Sequence, residues 1–506
     1  MIEENTIKKL HMSIAGKQVE TTSGNYFEIV NPSTGKVQAY APKCTKEEVI
    51  SAIEAAQNAY SSWSSVPVLK RVQVLYRFRE LIEQHMDELV ETLSKENGKT
   101  LGEAKGDVLK AKEVVELACG IPTMMMGDSI MNISTGFDTV SYRESLGVFV
   151  GIAPFNFPAM IPIGWMLPLC IATGNTLVLK ASNVTPMSSF RLVELLYEAG
   201  LPHGVVNILT CDIEESAPLL EHPDVKGVTF VGSTKIAKYI YKTASENGKR
   251  VQALGQAKNH GLVLEDAILE DVAHAVINAS YGCAGERCMA LSALVVQESI
   301  ADELIELLKK NAAELKIGPG YLPDTHMGPV VTMEHKQRIL NWIEKGIEEG
   351  AELVLDGRKH QVKGYENGYY LGPSIFDQVK PTMAIGNQEI FGPVLSIKRV
   401  KGFEEGITLM NQNPYANGSI IFTQSGYYSR EFARRTDAGM VGINVSVPVP
   451  MSIFPFTGHK ESFFGDLHTL GKDGMRFYTE SKIVTSHWSL SDPTKNRNTD
   501  TWGASV

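Results

Sequence analysis

Apolar residues recur three and four positions apart along much of the first 120 residues. Val72, Leu75, Phe78, Leu81 and Ile82 make one such stripe. This spacing predicts amphipathic helices over 45–60, 67–97 and 103–119. From about residue 146 the pattern changes. Short apolar runs alternate with helical stretches: LGVFVGI at 146–152, TLVLK at 176–180, VVNILT at 205–210, GVTFVG at 227–232 and RVQAL at 250–254. Helices near 187–199, 214–221 and 233–246 separate them. Strand–helix–strand alternation predicts a parallel sheet covered by helices.

A second α/β region begins near 261. It contains GLVLED, a helix over 270–282, the strand ALVVQ at 293–297, and helices near 300–315 and 333–349. Asn413, Pro414 and Gly418 mark a turn before the strand SIIFT. TVSYRES at 139–145 alternates as an exposed ribbon strand would, and an edge of that kind invites pairing with another subunit. The closing stretch, SDPTKNRNTDTWGASV, is polar and aperiodic and reads as a surface tail.

A chain of 506 residues exceeds one ordinary core, so two or three domains are expected. The formal net charge of −10 argues against nucleic acid or an anionic membrane as partner. Anionic ligands must then be held by local positive groups. The six cysteines are Cys44, Cys119, Cys170, Cys211, Cys283 and Cys288, with no CxxC pair. That disfavours a disulfide framework or zinc site and suits a reducing compartment. The N-terminus has no apolar signal-peptide core. The most apolar stretch, near 157–172, is broken by Pro158, Pro162, Gly164 and Pro168, so no spanning helix is predicted. A cytoplasmic protein is expected, or a matrix protein if a transit peptide has been removed.

Candidate chemistry is sparse at first sight. No GxGxxG occurs, so the usual dinucleotide fingerprint is missing. Gly232 ends a predicted strand, and Ser233 and Thr234 open a helix whose N–H groups could hold a phosphate or simply be capped. Lys180 lies at the carboxyl end of a strand, where open parallel sheets bind ligands. Cys288, in GCAGERCMA, has glycines and Arg287 beside it. Such neighbours predict an exposed, electropositive setting that lowers a thiol pKa, against the alternative of a buried structural cysteine.

Read in order, PFNFP at 154–158, TGNTLVLKAS at 173–182, FVGST at 230–234, GERC at 285–288 and EIFGPV at 389–394 resemble the motif set of the aldehyde dehydrogenase superfamily. AKNHGLVLEDA, GERCMAL and PFNFPAMIP resemble its methylmalonate-semialdehyde subfamily in detail. The resemblance covers nearly the whole chain. It implies an α/β fold with a Rossmann-like NAD-binding domain over 1–128 and 149–260 and a catalytic domain over 261–471. A β-ribbon arm over 129–148 and 472–490 would build a homodimer or homotetramer, leaving 491–506 as a tail. It implies Cys288 as nucleophile, with the Asn156 amide and the Cys288 N–H stabilising the oxyanion. Phe155, Lys180, Asn183, Gly232, Ser233, Glu389 and Phe391 would hold NAD. Metal is not expected.

Four departures sharpen this picture. Hydrolytic family members carry a glutamate where Leu254 falls, and a leucine cannot activate water. A thiol acceptor, coenzyme A, is therefore expected, unless Glu265 or His260 supplies a base. Asn183 stands where the subfamily has a glutamate on the adenosine ribose, which leaves NADP open beside NAD. The subfamily also grips its substrate carboxylate with two arginines. One matches Arg287; the other falls at Lys110, which keeps the charge but not the planar fork. PAMIPIGWMLP is one residue longer than the subfamily form, at or near Gly164. The expected reaction is oxidation of a malonate- or methylmalonate-semialdehyde to an acyl-CoA. The alternative is a non-acylating dehydrogenase of another small anionic aldehyde, for instance a sulfonated one such as sulfolactaldehyde.

Overall fold

The computed structural model describes residues 7–488; the expected tail and the last two residues of the expected arm lie outside them. Two large sheets dominate. The first has eight strands. Its centre runs Arg250–Leu254, Val225–Val231, Val148–Ile152, Thr176–Lys180 and Val206–Leu209, all parallel. Phe463–Gly465 closes one edge antiparallel, and Met12–Ile14 with Lys17–Val19 closes the other. Buried on both faces, the central strands are continuous apolar runs, as a covered parallel sheet requires.

The second sheet has seven strands, ordered Glu352–Leu355, Ser374–Asp377, Val394–Val400, Leu291–Gln297, Asn259–Val263, Gly418–Phe422 and Met440–Ile443. Only the first pairing is antiparallel. A third, antiparallel sheet forms a ribbon from Ser129–Ser134, Phe137–Ser145 and Thr479–His487. The ribbon exposes Ile130, Met131, Ile133, Tyr142, Ile483 and Val484.

The predicted helix over 67–97 is two helices, Val68–Gln84 and Met86–Asn97, broken at His85. No glycine or proline marks that break. The next helix, Leu101–Cys119, starts from a reciprocal cap between Thr100 and Glu103. The apolar stretch 157–172 is fully internal apart from Phe157. It contains a π-helical turn, Met160–Trp165, followed by a short helix, Pro168–Ala172. Gly164 in that turn packs against Ala111 of the helix Leu101–Cys119, where a Cβ would lie 3.0 Å from the Ala111 Cα. Among the described residues no helix is long and apolar enough to cross a membrane.

Candidate active site

Strand order explains where the site lies. Val148–Ile152 neighbours Thr176–Lys180 on one side and Val225–Val231 on the other. The chain reverses its direction of winding there, and open parallel sheets bind ligands at such a switch. The carboxyl end of Val148–Ile152 leads into Pro154, Phe155 and Asn156. That of Val225–Val231 leads into Gly232 and Ser233. These residues line one wall of a cavity of about 140 Å³. Gly255 and Gln256 follow the first-sheet strand Arg250–Leu254, and the rest of the lining comes from the second sheet: Cys288 lies ahead of Leu291–Gln297, and Glu389 and Phe391 ahead of Val394–Val400. Arg338, from the helix Met333–Glu348, completes the lining.

Cys288 is presented by an unusual loop. Cys283, Ala284 and Gly285 are consecutive left-handed residues, with φ of 51°, 52° and 76°. Non-glycine residues adopt that region at a cost of about 1 kcal/mol each. Glu103 holds the loop in place. Its carboxylate accepts from the Cys283 N–H at 2.6 Å, from Arg287 Nη2 at 3.1 Å and from the Thr100 N–H at 3.0 Å. A Cβ on Gly285 would stand 2.2 Å from the Gly392 carbonyl oxygen, so a bare backbone is needed where the two loops meet. Beyond the loop, Asn259 Nδ2 and Asn417 Nδ2 both donate to the Cys288 carbonyl, at 3.0 and 3.3 Å. Asn156 donates one amide hydrogen to the Glu286 carbonyl at 3.1 Å and keeps the second.

The electropositive setting expected from Arg287 is not found at Cys288. Arg287 is ion-paired with Glu103, and its Nε donates to Cys283 Sγ at 3.2 Å. The Cys288 thiol is pushed up to about 12 by burial and by the Glu389 charge. Desolvation outweighs any nearby cation because the guanidinium is spent on its own carboxylate.

Glu286 and His335 form a buried pair behind this loop, with His335 Nε2 3.2 Å from Glu286 Oε1 and 2.6 Å from the Phe391 carbonyl. Burial holds Glu286 well above the usual carboxylate range and His335 down to about 4. His335 is therefore uncharged near neutrality. The pair joins the loop that carries Cys288 to the Glu389–Phe391 loop. Nothing in local sequence pattern links residues 49 positions apart, and only the fold brings them together.

The other expected ligand residues divide into two groups. Ser233 stands in the cavity lining at the N-terminus of the helix Thr234–Glu246 and makes no side-chain bond to that helix. Glu389 accepts from the Ala257 N–H at 3.0 Å and is pushed up to about 7 by burial. Phe155 and Phe391 stand edge to face at 5.8 Å. Lys180 and Asn183 lie further along the same sheet edge, outside the cavity lining. Burial lowers the Lys180 ammonium. Asn183 donates to the Cys211 carbonyl, while its own Oδ1 is buried without a partner.

Lys110 and Arg287 do not line the cavity. Lys110 pairs with Glu113 at 2.7 Å, and Glu113 also accepts from the Ser452 N–H. Leu254 is buried in the same apolar cluster as Val231 and Met289. Neither alternative base reaches the cavity. Glu265 is exposed and accepts from Ser299. His260 is buried between the Lys258 carbonyl and Lys398.

The family model for the aldehyde dehydrogenase family matches residues 19–484. The chain belongs to the aldehyde dehydrogenase family. The match runs from the edge of the first sheet into the last ribbon strand, so this aldehyde dehydrogenase has the family's α/β fold throughout. Malonate-semialdehyde dehydrogenase of Bacillus cytotoxicus is 48% identical over 483 residues, 95% of this chain and 99% of that one. Among solved structures, a candidate methylmalonate-semialdehyde dehydrogenase of Sinorhizobium meliloti complexed with NAD superposes with a TM-score of 0.94. It is 43% identical and covers 96% of this chain and 99% of that one. Methylmalonate-semialdehyde dehydrogenase of Oceanimonas doudoroffii gives the same TM-score at 41% identity, over 96% of this chain and 99% of its own.

Proposed function

We propose that the protein oxidises a short anionic semialdehyde, of the malonate or methylmalonate type, with NAD, and passes the acyl group from Cys288 to coenzyme A. The observation that carries this reading is the cavity's inventory. Leu254 places a buried methyl cluster where hydrolytic relatives keep a water-activating carboxylate, and neither Glu265 nor His260 reaches the cavity to replace it. A lost base costs about 10²–10⁴ in rate for a water nucleophile, whereas a few per cent of a free thiol is already ionised near neutrality. The names and identities of the relatives support the same substrate class.

The residues present fit NAD. A 13-residue helix with no side-chain cap suits a pyrophosphate. The unpartnered Asn183 Oδ1 suits a ribose hydroxyl. Lys180 would stand beside it on the adenosine side, and Glu389 and Phe391 would hold the nicotinamide end. When bound, NAD supplies the hydride acceptor. The chain's own residues do the rest. The Cys288 thiol loses its proton to solvent, and its sulfur adds to the aldehyde carbon. The free Asn156 amide hydrogen and the Cys288 N–H receive the oxygen as it gains charge, with Asn156 held beforehand by the Glu286 carbonyl. Loss of hydride leaves a thioester on Cys288. Lys110 and Arg287 would meet the substrate's anionic end, each exchanging part of its present carboxylate partner for it.

The same reading assigns residues 1–128 and 149–260 to the cofactor domain and 261–471 to the catalytic domain, supported by the two separate sheets, with Phe463–Gly465 of the latter crossing to the edge of the first. It makes the ribbon an arm between copies of the chain, supported by its exposed apolar residues. It places the enzyme in the cytoplasm, supported by six free thiols. A second reading, a free acid formed from another anionic aldehyde, is favoured by Lys110 and by the added residue at the π-helical turn. NADH release from malonate semialdehyde with and without coenzyme A separates the two. Turnover indifferent to coenzyme A overturns the acylating reading.

A further inference from the structure

Transfer of an acyl group between two thiols needs a place for one proton. The incoming thiol must lose it and the departing Cys288 must regain it. Of the residues lining the cavity, only Cys288, Arg338 and Glu389 titrate. A guanidinium stays protonated. Leu254 removes the carboxylate that hydrolytic relatives use. We propose that Glu389, beyond any role in holding NAD, is the proton shuttle of acyl transfer from Cys288 to the acceptor thiol. This inference rests on the acyl-CoA reading above.

The geometry favours it on two counts, and its titration agrees. Glu389 lines the same small cavity as Cys288, and its charge acts directly on that thiol. Its carboxylate accepts from the Ala257 N–H on Oε1 and from the side chain of Gln256, another lining residue, so it is held at the cavity wall. It is also poised. Burial lifts Glu389 to about 7, while Arg338 and Lys258 act in the opposite direction. A base tuned to ambient pH can take and return a proton with little cost either way.

Lys258 lies on the far side, buried, donating to the Ile385 carbonyl at 3.0 Å and lowered to about 7 by burial and by Lys398. Tyr415 feels the same carboxylate from the strand Tyr415–Ala416. Cys288, Arg338, Lys258 and Tyr415 are the charged or titratable groups facing Glu389 from the elements around it.

The step balances without another reactant. Glu389 takes the proton from the acceptor thiol as its sulfur adds to the thioester carbon. The carbon–sulfur bond to Cys288 then breaks, and the proton passes from Glu389 to the leaving sulfur. Cys288 returns to a neutral thiol, the form its buried site favours.

A half-reaction without NAD isolates this role from ribose binding. Cys288 is acetylated with p-nitrophenyl acetate, the acetyl-enzyme is confirmed by its mass, excess reagent is removed, and coenzyme A is added. Acetyl-CoA formation is timed between about pH 6 and 8 in the wild type, Glu389→Gln and Glu389→Asp. The wild-type rate should rise with pH through about 7, as the carboxylate ionises. Glu389→Gln should transfer about 100-fold more slowly near neutrality, with only the slope of free-thiol ionisation left. Glu389→Asp should regain part of the rate and the inflection. Successful acetylation of each variant certifies an intact nucleophile loop. Wild-type transfer that Glu389→Gln matches within about threefold overturns the shuttle alone. A wild-type acetyl-enzyme that coenzyme A does not discharge overturns the acyl-CoA reading, and the shuttle with it.

Discussion

Replacing Glu103 by alanine should damage both stability and catalysis, although Glu103 does not line the cavity. One carboxylate closes the cap of the helix Leu101–Cys119, receives the Cys283 N–H and pairs with Arg287. A helix cap is worth about 1 kcal/mol, and a hydrogen bond to a charged group about 1.5–3 kcal/mol. Leaving a buried partner charge unpaired costs about 3–5 kcal/mol. Arg287 and Glu103 are 19% and 14% exposed at the side chain, so that last cost applies with little relief from solvent. The contacts share one group and do not add. The orphaned guanidinium dominates, and a loss of about 4 kcal/mol is expected. Cys283 and Ala284 then lose the restraint that offsets their left-handed backbone. A shift of the nucleophile by about 1 Å lowers turnover about 100-fold. Glu103→Gln keeps an acceptor for Cys283 but not the charge, and should fall between wild type and alanine. Urea unfolding reads the first quantity, and the NADH burst together with iodoacetamide labelling of Cys288 reads the second. A Glu103→Ala enzyme within about 1 kcal/mol of wild type, with an unchanged burst, refutes the reasoning.

Other outcomes follow from neighbouring features. Burial keeps Glu286 protonated well above its ordinary 4.5, so its stabilising contribution is present below that value and lost as pH rises through the folded value. His335, held at about 4, stays neutral over that range in the folded chain. Glu286→Gln should therefore gain on wild type by up to about 1.4 kcal/mol per pH unit above about pH 5, and urea midpoints with parallel pH dependence would show Glu286 to be ordinary. Leu254→Glu should open hydrolysis of the thioester, seen as NADH turnover without coenzyme A. An enzyme still silent without it would show that a carboxylate there does not reach the thioester. Met131→Asp with Ile483→Lys should shift the protein to a smaller species in sedimentation, because both side chains are exposed apolar positions of the ribbon.

Much of the frame was readable from periodicity. The parallel strands of the first sheet and the helices between them lie within a few residues of their apolar runs, because burial on both faces demands continuous apolar sequence. The ordered motifs led to Cys288, Asn156 and Glu389, which the fold gathers into one cavity. What was not readable depends on long-range pairing. Arg287 looked like a cation for Cys288, but its partner Glu103 lies 184 residues away. Thr100 and Glu103 do carry the spacing of a reciprocal cap, a signal that places the helix start two residues earlier than expected. The left-handed Cys283 and Ala284 carry no signal, since neither residue favours that backbone. The break at His85 is equally silent in sequence.

The π-helical turn at Met160–Trp165 has an evolutionary consequence. Gly164 N–H reaches back five residues to the Ala159 carbonyl, and Met166 N–H to Ile161. A wide turn of this kind can absorb one added residue, such as the resemblance implies near Gly164. Asn156 upstream and the helix Pro168–Ala172 downstream need not move to make room. A single-codon insertion can then refashion the wall that the resemblance assigns to the substrate tunnel while sparing the machinery beside it. In such a scaffold a turn can lengthen while Cys288 and Asn156 keep their places.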